Sequence, residues 1–132
     1  MDFLKELSNK NPERCKAFGH TVQDMPILFW STAVAGEVGE MCNLIKKMER
    51  GDSGDFTTAI ALEAADIVIY LDLLCTKLGI DLMGSVFHKF NQVSLRVKSD
   101  IVLDARCKDC GQILGSFEVL TCDACSGCLD GY

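Results

Sequence analysis

Hydrophobic positions recur at the spacing of amphipathic helices along most of the chain, and the segments between them are polar or glycine-rich. Apolar residues at helical spacing predict a short first helix over residues 1–9. Pro12 and Gly19 interrupt the pattern and predict irregular chain over residues 10–24. The pattern as a whole predicts an all-α fold.

The second predicted helix begins after Asp24, whose side chain is a suitable N-cap, and it places Pro26 in its first turn. It runs to about Arg50, with basic residues in its last turns and Gly51 beyond them. Residues 51–55 form a short polar turn, GDSGD, which predicts that this helix and the next one make an antiparallel hairpin.

The third predicted helix starts at residue 57 or 58 and stops before Gly79. It is apolar almost all round, and a helix of that kind is usually buried. Asp81 is predicted to cap a fourth helix over residues 82–97, followed by a linker over residues 98–105.

Two pairs of carboxylates interrupt the apolar positions of the predicted hairpin. Glu37 and Glu40 lie three residues apart on the second helix, and Glu63 and Asp66 on the third, so each pair shares a helix face. The midpoint between the pairs falls near the turn, which places them opposite each other to within about 5 Å. Four converging negative charges need cations, and carboxylate oxygens are the natural ligands of Mg²⁺ and Mn²⁺. The alternative is a pair of solvated helix faces.

A chain of 132 residues with 48% hydrophobic residues can hold one domain and a small appendage. We predict an all-α domain over residues 1–100 and a cysteine-rich tail over 101–132. The net charge of −6 argues against a main role in coating nucleic acid. No signal peptide is expected, because residues 1–16 lack a charged segment followed by an apolar one and lack a small-residue cleavage site. No membrane span is expected either, because charged residues interrupt the longest apolar stretch, 60–80. The prediction is a cytoplasmic protein.

Five of the eight cysteines fall within residues 107–128, four of them as two closely spaced pairs. The zinc ligands predicted from two C-x-x-C pairs are Cys107, Cys110, Cys122 and Cys125. Cys128 is a fifth candidate that either replaces Cys125 or remains free, and the alternative is a reducible disulfide cluster. The charge from Arg106 to Tyr132 is −2, which fits nucleic-acid binding poorly. A structural zinc site with a role in subunit contact, or in closing a ligand pocket, fits better.

The four carboxylates on a helical hairpin resemble the motif of the MazG-like nucleoside triphosphate pyrophosphohydrolases, an all-α group related to dimeric dUTPases. The segments AGEVGEMCNLIKK, LEAADIVIYLDLL and LGIDLMGSVFHKFNQVSLRV are similar to that family, over roughly residues 20–100. The resemblance implies a four-helix-bundle-like MazG fold, to which the tail would add a small C-terminal zinc ribbon.

The resemblance also implies a reaction: Mg²⁺-dependent hydrolysis at the α-phosphorus of a nucleoside triphosphate, releasing the monophosphate and pyrophosphate. The catalytic and Mg²⁺-binding residues carried over are Glu37, Glu40, Glu63 and Asp66. The phosphate-contact candidates are Lys47, Lys89 and Arg96, and Asn91 would orient phosphate, sugar or water. Their alternative is an ordinary solvated surface. Gly36 stands where many members have a further glutamate, so no general base is named.

Trp30 lies seven residues before Glu37 on the same helix face, and it is a candidate for stacking on a nucleobase. The alternative is a tryptophan in the core or at a subunit interface. Phe29 and Tyr70 are expected to be packing residues. His20 and His88 are expected to be structural or surface residues, and the scattered Cys15, Cys42 and Cys75 are expected to be small core residues.

The main hypothesis is thus a Mg²⁺-dependent nucleotide pyrophosphohydrolase that forms a homodimer or homotetramer. The segment FNQVSLRV resembles phage-encoded members of the family and favours a deoxypurine triphosphate such as dGTP or dATP. The alternative is a non-catalytic zinc-ribbon adaptor on a helical oligomerisation hairpin, in which the four carboxylates are salt-bridged. Binding of nucleic acid by the tail is a third possibility, against which the acidic balance counts.

Overall fold

The computed structural model describes residues 3–103, and every regular element in that range is helical. The elements are α1 (Phe3–Cys15), a single 3₁₀ turn (Lys16–Phe18), α2 (Ile27–Glu49), α3 (Phe56–Leu78) and α4 (Leu82–Arg96). The described residues contain no strand, which confirms the predicted all-α class for this part of the chain.

The chain divides between Ile80 and Asp81 into two compact units. The first unit holds α1, α2 and α3, and the second holds α4. The predicted domain boundary after residue 100 stays a prediction, because the cysteine-rich tail lies outside the described residues. None of the helices found in residues 3–103 has the length and hydropathy that a membrane crossing requires.

The hairpin of α2 and α3 forms as predicted, around the polar turn between them. At the start of α3, the Asp55 carboxylate accepts a hydrogen bond from the backbone N–H of Thr58 at 3.1 Å. At the end of α3, Gly79 takes a left-handed conformation with φ of 68°, and the Ile80 N–H donates to the Cys75 carbonyl at 2.8 Å. Both ends of α3 are therefore set by local capping that the sequence displays.

The predicted role of Asp24 as the N-cap of α2 is wrong. Its carboxylate accepts a hydrogen bond from the backbone N–H of Thr21 at 2.6 Å. Hydrogen bonds with the backbone and side chain of Thr21 lower the pKa of Asp24. Pro26 occupies the N-cap position, and α2 begins at Ile27 without a side-chain cap. An aspartate side chain can bind backbone N–H groups either in a turn or at the start of a helix. Here Asp24 binds the N–H in the turn before α2 and does not cap the helix.

The predicted irregular chain over residues 10–24 is wrong at its start, because α1 continues through Pro12 to Cys15. Proline inside a helix removes one backbone hydrogen bond and is locally unfavourable. Packing of α1 against α3 outweighs this local preference, since Asn11 and Cys15 lie on the buried face of α1. The helix boundary is thus decided by tertiary contacts.

The core of the first unit surrounds Trp30, which is 1% exposed. Its other buried members are Cys15, Val22 and Leu73, with Met25, Tyr70 and Leu74 packed against them. The expectation that α3 is buried all round is not met within this chain, because Leu62 is 62% exposed and Ala61, Ala64 and Ala65 are also exposed. The reason is that α1 and α2 cover only part of the α3 surface.

The second unit begins with the predicted cap: the Asp81 carboxylate accepts from the Gly84 N–H at 3.0 Å. Helix α4 ends at Arg96, and the chain then folds back locally. The Asn91 side chain binds both backbone groups of Leu103, accepting from its N–H at 2.8 Å and donating to its carbonyl at 2.9 Å. Asn91 therefore fixes the segment that follows the helix.

Candidate metal centre and adjoining cavity

Three carboxylates meet in the middle of the α2–α3 hairpin, and we call them the acidic triad. They are Glu37 on α2 and Glu63 and Asp66 on α3, and one oxygen of each lies within 4.8 Å of the other two. In an octahedral Mg²⁺ shell with bonds of about 2.1 Å, ligand oxygens are about 3 to 4 Å apart. The upper limit of 4.8 Å in the acidic triad is close to that spacing.

The charges of the acidic triad are not balanced by basic side chains within residues 3–103, where no ion pair of these three carboxylates is found. The pKa of Glu37 is raised, first by desolvation, then by a hydrogen bond to Glu63, and then by the charges of Glu40, Asp66 and Glu63. Glu37 is therefore harder to ionise beside the other carboxylates than an isolated glutamate is, and a nearby cation would oppose this effect. Oxygen ligands with excess negative charge fit a hard divalent cation such as Mg²⁺.

Glu40, the fourth predicted ligand, is not brought into the acidic triad. Its side chain is exposed, and its charge reaches the site through its effect on the pKa of Glu37. The structure therefore brings together three of the four carboxylates that the sequence pattern groups, and Glu40 lies beside them on α2.

A cavity of about 260 Å³ opens beside the acidic triad in the first unit. Asp66 belongs both to the triad and to the cavity wall. The other walls include Arg14 and five rings, those of Phe18, His20, Phe29, Trp30 and Tyr70. Trp30 packs against other rings of the wall: it meets Phe29 edge-on at 5.0 Å between centroids and lies 6.5 Å from Tyr70. A flat apolar ligand would find an aromatic pocket here, next to the three carboxylates of the acidic triad.

Trp30, the predicted stacking residue, is held as a core residue. Its indole N–H donates to the Val22 carbonyl at 3.2 Å, and with 1% of its surface exposed it has no free face in this conformation. Phe29 is 40% exposed in the same wall and is better placed to contact a ligand. His20, expected to be structural or on the surface, lies in that wall 5.9 Å from Trp30 between ring centroids.

The four predicted phosphate-contact residues are divided between the two units. Lys47 is half-buried near the C-terminus of α2 in the first unit. In the second unit Lys89 donates to Gln92 at 3.2 Å, Arg96 is exposed, and Asn91 is engaged with Leu103. Their roles toward phosphate stay predictions. The predicted zinc ligands Cys107, Cys110, Cys122 and Cys125 lie outside the described residues.

Sequence reasoning missed a buried polar network between α1 and α3. Asp72 is 1% exposed, and its carboxylate accepts hydrogen bonds from Ser8 and, at 2.9 Å, from the Asn11 amide. Asn11 in turn accepts from Arg14, which lines the cavity. The available signal was Asp72 itself, because an acid inside an apolar helix needs a partner.

Glu37→Gln is expected to raise the melting temperature of the metal-free protein at neutral pH. A carboxyl group whose pKa is higher in the folded chain than in the unfolded chain destabilises the fold when it is ionised. The protonated Glu37 therefore contributes stability below its ordinary pKa of 4.5, and this contribution is lost as the pH rises through the raised pKa. Glutamine carries no charge, and the gain is small because Glu37 is partly exposed.

Thermal unfolding of both proteins in a chelator, from about pH 4 to pH 8, measures this effect. The difference should be largest at neutral pH and should vanish below the ordinary pKa. Other carboxyl groups, such as the hydrogen-bonded Asp24 and Asp55, are common to both proteins and cancel. An equal difference at both ends of the range, or no gain at neutral pH, would contradict the interpretation.

Comparisons of the chain with protein-family models, with curated proteins and with solved structures find no match. The functional assignment therefore depends on the acidic triad, the adjoining cavity and the resemblance of their sequence motifs.

Proposed function

We propose that this chain is a MazG-like, Mg²⁺-dependent nucleotide pyrophosphohydrolase. The observation that carries the proposal is an acidic triad without ion pairs to basic residues in residues 3–103. One of its members, Asp66, also lines the aromatic cavity. Nucleoside triphosphates combine the two features that such a site accommodates, a polyphosphate that binds divalent cations and a flat base.

In the proposed reaction, water adds to the α-phosphorus of the triphosphate, and the bond from that phosphorus to the bridging oxygen breaks to release pyrophosphate. Glu37, Glu63 and Asp66 hold Mg²⁺, with Glu40 as a further acidic neighbour. When bound, Mg²⁺ would neutralise charge on the phosphates and favour ionisation of water. Asp66 links the two parts of the site, so it fixes the phosphates relative to a base held against Phe29 and Tyr70.

We propose a deoxypurine triphosphate, dGTP or dATP, as the substrate, following the resemblance of the fourth-helix segment to phage-encoded members. A cavity of about 260 Å³ walled by aromatic rings suits a planar bicyclic base. Lys47, Lys89 and Arg96 are proposed to contact phosphates, because basic side chains bind them by charge and hydrogen bonding. Asn91 is proposed to orient phosphate, sugar or water.

The remaining proposals concern assembly and the tail. A homodimer or homotetramer would cover the apolar surface that α3 exposes, including Leu62 and Val68. The cysteine tail is proposed to fold around a structural Zn²⁺, since a segment of that length has too little core to fold alone. A cytoplasmic location stays a prediction.

The adaptor alternative predicts that the carboxylates of the hairpin are neutralised by salt bridges. Among residues 3–80, ion pairs join Lys10 to Glu6, Lys16 to Glu13 and Arg50 to Asp52, and none of these three includes a member of the acidic triad. Within the described residues, the triad thus lacks the pairing that the adaptor requires, which favours the metal-dependent enzyme.

The proposal is tested by incubating the full chain with Mg²⁺ and, separately, each common NTP and dNTP, and identifying the products by ion-exchange chromatography. The expected products are the nucleoside monophosphate and pyrophosphate, with no turnover in chelator. Release of nucleoside diphosphate and phosphate would mean that a different bond is broken. Absence of turnover with every nucleotide would contradict the proposal and favour the adaptor.

A further inference from the structure

One basic side chain lies at the aromatic cavity and has no part in the proposed reaction. Arg14, on the last turn of α1, is one of the residues that line the cavity. Within residues 3–103 no ion pair of Arg14 is found. Its Nη2 donates a hydrogen bond to the Asn11 side-chain oxygen at 3.0 Å. A guanidinium carries five N–H donors and this bond uses one, so the others can bind a ligand.

Arg14 is oriented by the buried network that joins α1 to α3. Asn11 is 2% exposed, and its amide nitrogen donates to both the Ile69 carbonyl and the Asp72 carboxylate, each at 2.9 Å. Its oxygen is thereby turned toward Arg14. Buried polar groups that are fully hydrogen-bonded hold a defined geometry. Asn11 and Asp72 are therefore positioning residues for the Arg14 guanidinium.

The hydrogen bonds of Asn11 to α3 also show where Arg14 lies along the axis of the hairpin. Ile69 and Asp72 lie three and six residues beyond Asp66 on α3, roughly 5 and 9 Å farther from the acidic triad along the helix axis. Trp30 lies on the same side of the triad, seven residues before Glu37 on α2. A nucleotide whose phosphates meet the triad would therefore place its base, rather than its phosphates, beside Arg14.

We infer that Arg14 reads the base of the nucleotide and selects guanine over adenine, an inference that rests on the proposed function. Arginine presents only donors, in a planar fork that matches two adjacent acceptors. The N7 edge of guanine offers two acceptors, N7 and O6, whereas the same edge of adenine offers N7 and a donor amino group. Adenine would leave one donor of the fork facing another donor. A substrate that leaves a hydrogen-bonding group of the site unpaired has a much lower kcat/KM.

The test compares kcat/KM of the wild-type chain for dGTP, dITP, 7-deaza-dGTP and dATP in Mg²⁺. Hypoxanthine keeps both acceptors, so dITP should be used about as well as dGTP. Loss of either acceptor should lower kcat/KM by about tenfold or more, so 7-deaza-dGTP and dATP should both be poor substrates. The effect should appear mainly in KM, because Arg14 contacts the base and not the reacting phosphorus.

The variants Arg14→Gln and Arg14→Lys should remove this preference. Arg14→Lys keeps the charge but loses the fork, so kcat/KM should fall for dGTP and dITP and stay within about twofold of wild type for dATP. Lys16→Gln is the matched control, since Lys16 is an exposed cation two residues away that pairs with Glu13, and it should keep the guanine preference. Circular dichroism confirms that each variant is folded.

Two failures are distinguishable. Turnover of both purines at equal efficiency by the wild type, or an equal loss for both in Arg14→Lys, would overturn the assignment of Arg14 and leave the proposed reaction intact. Absence of turnover for every nucleotide would overturn the proposed function, and the base assignment with it.

Discussion

Glu63→Gln is expected to abolish binding of Mg²⁺ or Mn²⁺ at the acidic triad and to lower kcat/KM for nucleotide hydrolysis by at least about 100-fold. Glutamine preserves the shape of the side chain but removes a charged oxygen from a set of three that lie within 4.8 Å of one another. Changes to groups outside the ligand shell of a metal already cost about 10- to 100-fold, and loss of a ligand should cost more. Titration calorimetry with Mn²⁺ measures binding independently of activity.

The matched controls are two other glutamates of α2. Glu49→Gln changes an exposed glutamate in the last turn of the helix, and it should leave Mn²⁺ affinity and activity unchanged. Glu40→Gln should weaken Mn²⁺ binding less than Glu63→Gln does, because Glu40 acts on the site through its charge and lies outside the triad. Wild-type Mn²⁺ affinity in Glu63→Gln would mean that the triad is not a metal centre.

Mn²⁺ should also stabilise the wild-type fold, which gives a second readout that does not depend on catalysis. A ligand that binds only the folded state at about 100 times its Kd adds about 2.7 kcal/mol of stability. The corresponding rise in melting temperature should be absent in Glu63→Gln and present in Glu49→Gln. A rise of equal size in Glu63→Gln would place the stabilising cation elsewhere in the chain.

The parts of the fold that follow from local chemistry were predictable from the sequence. The ends of α3 and the start of α4 are fixed by Asp55, Gly79 and Asp81, and each of these caps acts on groups within a few residues. The hairpin follows from the short turn between two long helical patterns. Local signals of this kind can be read without knowing what packs where.

The errors occur where a competing contact decides the conformation. Residues 10–15 are helical in spite of Pro12, because Asn11 binds Asp72, sixty-one positions away. That contact is not visible in the local sequence, and Arg14 was missed for the same reason, since its position depends on Asn11. Asp24 was assigned to the wrong role because a local turn at Thr21 competes for its carboxylate, and the sequence does not show which of the two local partners it binds.

The candidate site was predicted more completely than the cavity beside it. Residues three apart on a helix differ by about 60° around its axis, so a shared face does not guarantee that both side chains reach one point. Glu63 and Asp66 both reach the triad and Glu40 does not. The cavity needs rings from α2 and α3 together with the segment after α1, a combination that helix periodicity cannot assemble.

Trp30→Ala is expected to lower the free energy of unfolding of the first unit by about 3 to 5 kcal/mol, the usual range for removing a large aromatic side chain from a core. Trp30 is 1% exposed and packs against Phe29 and Tyr70. Its loss also leaves the Val22 carbonyl without its indole donor. Urea denaturation followed by circular dichroism gives the free energy.

Two further variants separate packing from the hydrogen bond and from simple loss of apolar surface. Trp30→Phe keeps a ring in the core but removes the N–H donor, so it should cost about 1 to 2 kcal/mol. Leu28 lies in the same helix turn as Trp30, and its apolar side chain is 73% exposed. In the monomeric chain, Leu28→Ala should therefore change the free energy of unfolding by no more than about 0.5 kcal/mol. Equal losses in Trp30→Ala and Leu28→Ala would mean that Trp30 is not the centre of the core. Three other rings of the cavity wall, those of His20, Phe29 and Tyr70, pack against Trp30. A loss confined to Trp30→Ala would therefore tie the shape of the proposed base pocket to the stability of the fold.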